Sequence, residues 1–219
     1  MQPSHDTHSD ALLAQAGWPQ VADALLEGVS RDLAGRVASL EGMLQLFSFD
    51  EGPSPLAPFL KQEVTHLQQV VVLQRLMLGH PEAEPEPISL GESVPLLLEL
   101  HRRHAGLTNV SVVPDIDAPG QLILPWRLFS RALLCATSVA ASEAAQRDRR
   151  VDLTIHGDGQ TTDLHWTAIG SRRESAAFPS NRGREEGISA VVKALGGSWT
   201  PPARDGLPVW RMRLPSGRR

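Results

Sequence analysis

A seven-residue apolar repeat near the start of the chain limits its fold more than any other feature. Leu26, Leu33, Leu40 and Phe47 recur at that spacing, with Val29 and Met43 on companion positions and Val37 beside the polar Arg36. Such a seam predicts a long helix packed against other helices. Pro19 suits its first turn. Gly52, Pro53 and Pro55 force a turn, and a second helical stripe follows through Leu60, Val64, Leu67, Val71 and Leu78. Val70, Val72, Leu73 and Leu76 widen that stripe, and Gly79 and Pro81 stop it. Two helices of this size cannot enclose a core alone. Pairing two hairpins across a dyad as a four-helix bundle is the economical solution, so residues 18–80 are expected to form a homodimer.

Residues 1–17 are polar and are expected to form a flexible N-terminus. The run His80–Pro87, HPEAEPEP, marks the expected 81–88 linker between the hairpin and a second domain at 89–215. That domain reads as a helix over Leu90–Arg103, then strands over Val110–Ile116 and Gln121–Leu124. Pro125 opens a long Ala- and Leu-rich helix to about Ala145. Val151–His156 and Thr161–Thr167 alternate as a hairpin. Gly170–Gly187 is irregular and Arg-rich, Ile188–Leu195 is a short helix, and Ser198–Thr200 and Val209–Leu214 are strands. The expected fold class is α+β.

Composition excludes several functions. The 219 residues are 41% hydrophobic, which supports a globular core, and the net charge of −4 carries no basic stripe for nucleic acid. Cys135 is the single cysteine, so no internal disulfide or cysteine-based zinc site is available. No apolar run is long enough for a bilayer span, and the N-terminus lacks a signal-peptide pattern. The expectation is a soluble cytoplasmic protein with no membrane partner.

The first helix, LLEGVSRDLAGRVASLEGMLQLF, resembles the first helix of a histidine-kinase dimerisation domain. That pattern runs hydrophobic-Ser-His-Glu-Leu-x-x-Pro-Leu, and this chain reads Val29-Ser30-Arg31-Asp32-Leu33-Ala34-Gly35-Arg36-Val37. Arg31 stands at the phosphoacceptor position, and Asp32 keeps the acid after it. A guanidinium stays protonated near neutral pH and cannot accept a phosphoryl group as a nucleophile. Gly35 stands where the family places a polar side chain that orients water for phosphatase activity.

The second half resembles the ATPase domain shared by histidine kinases, gyrase and MutL. LILPWRLFSRALLCATSVAASEA is similar to its asparagine box and GISAVVKALGGSW to its second glycine box. At the positions of the family's metal- and phosphate-binding asparagines stand Ala132 and Ala136, which offer no ligand atom to a hard cation. Ala168 or its neighbour replaces the adenine-binding aspartate, Gly170 is the surviving glycine of the first glycine box, and Gly187 is followed by Ser189 where a second glycine is expected. The resemblance thus implies an inactive histidine-kinase-like scaffold with no cofactor. It would bind a response-regulator receiver domain or a histidine kinase through Arg31, Asp32, Gly35 and the neighbouring His66. Dimeric histidine phosphotransferases are similar in architecture, but they keep the histidine.

Two other functions stay open. His66 could accept a phosphoryl group in place of the missing histidine, making the chain a phosphotransferase, or the emptied nucleotide pocket could sense another ligand. Ordinary readings compete with each site residue. Arg31 can be a solvated helix residue, Asp32 can pair with Arg36 one turn on, and His66 can be a surface or packed histidine. His101 and His104 have a spacing that can bind metal, but two ligands without a third are weak evidence for zinc. Cys135 reads as a small packed hydrophobe.

Overall fold

The computed structural model describes residues 6–46, 70–71, 76, 84–117, 121–145, 149–169, 182–203 and 207–216. The helices are α1 (Asp6–Gln15), α2 (Trp18–Leu46), α3 (Leu90–His101), α4 (Trp126–Ala144) and α5 (Arg182–Ala194). The strands are β1 (Glu86–Ser89), β2 (Ser111–Asp117), β3 (Gln121–Leu124), β4 (Arg150–Gly157), β5 (Thr161–Ile169), β6 (Ser198–Thr200) and β7 (Val209–Pro215). Val70, Val71 and Leu76 are also helical.

Five strands form one sheet in the order β2-β4-β5-β7-β6, and β1 pairs with β3 in a separate ribbon. β2 runs parallel to β4, and the other pairs in the large sheet are antiparallel. Alternation decides which face is buried. Val151, Leu153 and Ile155 of β4 point inward, as do Leu164, Trp166 and Ala168 of β5 and Trp210, Met212 and Leu214 of β7. The register sets Leu153 beside Trp166 and Trp166 beside Trp210, so large side chains meet across the strands. Asp158 accepts the backbone N–H groups of Gln160 (2.8 Å) and Thr161 (2.6 Å), which closes the β4–β5 turn.

α4 packs on this sheet and is also covered by α2. Phe129, Leu133, Leu134, Ala136, Val139 and Ala140 are all fully buried. The molecule therefore has three layers: the sheet, then α3, α4 and α5, then α1 with the N-terminal part of α2. Gly196, at φ +78, ends α5. The Gly197 N–H reaches back to the Val192 carbonyl and the Gly196 N–H to that of Lys193, which satisfies the last carbonyls of the helix.

Several expectations need correction. The N-terminus is not loose from residue 6 onward, because α1 packs on α5, Leu13 of α1 is buried, and so is Ala16 in the turn that follows it. Part of the Pro/Glu linker is strand β1, held by pairing with β3 and by the buried side chain of Ile88. α5 begins six residues earlier than the sequence pattern indicated, and Glu185 in its first turn accepts the Trp210 indole N–H at 2.8 Å. A four-helix bundle is not evident. α2 buries Val21, Ala22, Leu25 and Val29 inside its own chain, and Leu26 of the expected seam is 45% exposed. The stripe that meets the core is thus offset from the seven-residue seam. No helix among the described residues is long and apolar enough to cross a membrane.

Candidate functional site

α2 carries Arg31, Asp32 and Gly35 within little more than one turn, and helical geometry separates them. Successive side chains point about 100° apart, so Arg31 and Asp32 cannot face one partner together. Arg31 points outward and donates to Glu27 at 2.6 Å, with its side chain 65% exposed. Gly35 lies on the same outer arc, and a methyl group there would meet open space. Glu27, Ser30, Ala34, Val37 and Ala38 complete an exposed surface of mostly small side chains.

Asp32 turns inward toward the α3–β2 connection. It accepts from Arg36 at 2.8 Å and from Arg103, which lies 71 residues further along the chain. Burial works to raise its pKa. Hydrogen bonds from Arg36 and then Arg103 outweigh burial and hold the carboxyl below its ordinary 3.8. The Arg36 pairing is the ordinary reading that the sequence allowed; the Arg103 pairing joins α2 to the rest of the fold. Gly28 brings the same two elements together, because an added Cβ would overlap the Arg103 carbonyl. The Ala105 N–H also donates to the Ala24 carbonyl at 3.0 Å.

Ala132 and Ala136 are fully buried in α4. Their polar neighbours are engaged in structure: Thr137 accepts the Trp166 indole N–H at 3.0 Å, and Arg131 donates to the Leu76 carbonyl at 3.0 Å. The Arg131 guanidinium also lies 5.2 Å from the Trp18 ring centre, tying α4 to the start of α2. Gly187 is buried on α5 with the backbone of Gln15 and Ala16 directly against it, so it seats α1. His66 and Gly170 lie outside the described residues.

The histidine pair and the cysteine are buried. His101 and His104 have ring centres 5.7 Å apart. Burial, then the neighbouring His104, pushes His101 down to about 3, so it is neutral at physiological pH. Burial, then Arg184, also lowers His104. No group of three or more metal-ligating side chains occurs among the described residues. Burial pushes the Cys135 thiol up to about 12, which makes it a packing residue rather than a nucleophile. Sequence reading missed Arg103, Arg131 and Arg184. Each works through partners distant in sequence, and no local pattern marks it.

No protein-family model matches the sequence, and no curated protein matches it. Solved histidine kinases are similar in structure. Acinetobacter baumannii histidine kinase AdeS is 14% identical, with a TM-score of 0.46 over 85% of this chain and 98% of that one. A Burkholderia phymatum histidine kinase is 14% identical, with a TM-score of 0.44 over 97% of this chain and 96% of that one. Histidine kinase ThkA, in complex with response regulator protein TrrA, is 12% identical, with a TM-score of 0.48 over 86% of this chain and 60% of that one. The fold itself is mixed α+β with one five-stranded sheet. The expectation that the chain is not an enzyme is overturned: these neighbours, which include an isolated catalytic domain of ThkA, are kinases and therefore enzymes.

Proposed function

We propose that the chain is a histidine-kinase-like protein of two-component-type signalling that docks a response-regulator receiver domain on the outer face of α2. The observation that carries this reading is the division of α2 into two faces. Leu25 and Val29 are buried and Asp32 is paired toward the rest of the fold, while Leu26 and Val37 remain 45% and 52% exposed. Arg31 and Gly35 lie on a different flank of the outer surface from Leu26 and Val37, roughly 120–180° around the helix. The small side chains beside Arg31, namely Ala34, Gly35 and Ala38, permit close approach, and the arginine offers charge complementarity to an acidic phosphorylation pocket. The other flank, with Leu26 and Val37 exposed and Leu33 at its edge, is available for pairing with a second copy of the chain. Arg31 and Gly35 keep their place in this docking face. Asp32 acts as the brace that holds α2 in position.

Titration calorimetry of the full chain against receiver domains from the same organism tests the reading. Saturable binding is expected, weakened about tenfold or more by Arg31→Glu, which reverses the charge opposite an acidic pocket. The absence of binding, or binding unchanged by both Arg31→Glu and Gly35→Trp, would overturn it.

A further inference from the structure

The large sheet leads to a second inference, independent of the docking face on α2. Its inner face buries Val151, Leu164 and Met212 completely. Alternation sends the intervening side chains to the outer face, where they are exposed or half-buried. The register orders these outer side chains into rows across β2, β4, β5 and β7. One row reads Val113, Asp152, Thr167 and Val209. The next reads Asp115, Thr154, His165 and Arg211. The third reads Asp117, His156, Asp163 and Arg213.

The rows share one asymmetry. The two charged rows begin with an aspartate on β2 and end with an arginine on β7, while the first row has valine at both ends. Asp115, Asp117 and Arg211 are exposed and have no ion-pair partner among the described residues. Arg213 donates to its neighbour Asp163 at 2.7 and 3.0 Å. A two-fold axis lying along the strands, above the gap between β4 and β5, lays β2 of one copy on β7 of another and keeps each row on itself. Asp115 of one copy then meets Arg211 of the other, Asp117 meets Arg213, and His156 meets Asp163. Thr154 meets His165, Asp152 meets Thr167, and Val113 meets Val209. No position meets a like charge. Stacked sheets keep their strands within about 30° of each other, so the rows stay in step over so short a patch. A face that is only solvated has no reason to sort acids to one edge and arginines to the other, whereas a dyad requires it.

We propose that the outer face of the sheet docks a second copy of this chain face to face, with the aspartate edge of each copy on the arginine edge of the other. Strands about 4.8 Å apart and rows about 6.8 Å apart make the patch only about 15 Å across. Interfaces this small are transient, so half-association is expected on the order of 100 µM. That is well above the concentrations at which light scattering reads pairing through α2.

The test uses the full chain and reciprocal charge reversal. A trace of chain labelled at its N-terminus is titrated with unlabelled chain, and its sedimentation is followed. Because the dyad repeats each contact, one substitution acts twice. Labelled Arg211→Glu should associate with unlabelled Arg211→Glu about tenfold more weakly than parent with parent, and Asp115→Arg with itself likewise. Labelled Arg211→Glu against unlabelled Asp115→Arg should return to within about threefold of the parent, because both contacts are restored with their signs exchanged. Added salt should weaken the parental and the restored pairs alike. Pairing through α2 is common to every arm, so the differences read the sheet face alone. If either reversed chain fails to fold, Arg211→Gln and Asp115→Asn take their places. Each should self-associate about threefold more weakly than the parent, and their mixture, which regains one contact of the two, should be tighter than either alone. No second association step for the parent up to about 1 mM, reversed chains that pair with themselves as the parent does, or a mixture no tighter than its components would each overturn the proposal.

Discussion

α4 and α2 are the two longest helices among the described residues, and they are used in opposite ways. α4 lies between the sheet and the N-terminal helices, so almost all of its circumference is buried, down to Ser130, Thr137 and Ser138. Up to Ser39, and among the described residues, α2 is covered on one side only. Leu25 and Val29 have lost their exposure, while Glu27, Ser30, Arg31, Ala34 and Gly35 remain exposed. A helix enclosed on both sides has to be small and apolar nearly all round to fit, which is why α4 is rich in alanine. A helix covered on one side keeps a free face that can meet another molecule. The fold's stability should therefore be concentrated around α4, and its recognition surface on α2.

The largest expected effect tests the first half of that contrast. Trp166 is fully buried against α4 and donates to Thr137. Trp166→Ala should cost about 3–5 kcal/mol through the cavity and the lost bond, and should lower the single cooperative transition of the whole domain. Leu25→Ala removes a comparably buried side chain from α2, yet the helix can shift to fill part of the gap. About 2 kcal/mol is expected, at the low end for such truncations. Its signature should be local, with faster hydrogen exchange in α2 and unchanged near-ultraviolet dichroism from Trp166 and Trp210. If both variants lowered one common transition equally, α2 would belong to the core and the contrast would fail.

Asp32 is where the two regions join, and its effect should be smaller. Its folded pKa lies below the ordinary 3.8. The stability it contributes is therefore fully present above that value and is lost as pH falls through the folded pKa. Asp32→Asn should cost about 1 kcal/mol or less at neutral pH, because the carboxylate is a third exposed and its pairs are screened. The difference from the parent should shrink as unfolding is measured from pH 5 toward pH 2. A difference that stayed constant with pH would show that the carboxylate charge does not brace α2.

The parts of the fold that could be read from sequence are those whose signal is local. The β4–β5 hairpin was visible in its alternation, and β3 in a four-residue apolar run after a Pro-Gly turn. β1 was hidden because Glu86 and Pro87 suit a linker, and Pro87 lacks an N–H; only pairing with β3 makes the segment a strand. α1 was missed because few of its residues are apolar and its burial depends on a glycine far along the chain. α2 was recognised as a helix with its buried stripe displaced, since Leu25 and Leu26 fit a periodic pattern equally well until a packing partner is known. Among the site residues, the outward position of Arg31 follows from its helix. The inward turn of Asp32 depends on Arg103, and nothing within one helical turn reveals that pair.

The smallest effect on stability is expected at the outer face of α2, where the contrast can be sharpened most. Leu26 and Val37 are about half exposed, so replacing each with serine removes little buried area, and stability should change by no more than about 0.5 kcal/mol. Exposed leucine and valine on one arc of a helix are nevertheless the kind of surface that another molecule covers. The double variant Leu26→Ser, Val37→Ser should therefore keep the parent's melting temperature and lose self-association seen by light scattering, while receiver binding seen by calorimetry, which rests on the Arg31 flank, is unchanged. Loss of both would show that one surface serves both partners, so that a second copy and a receiver domain compete for it. Self-association unchanged, with stability unchanged, would leave this flank of α2 without a recognition role and weaken the distinction drawn between it and α4.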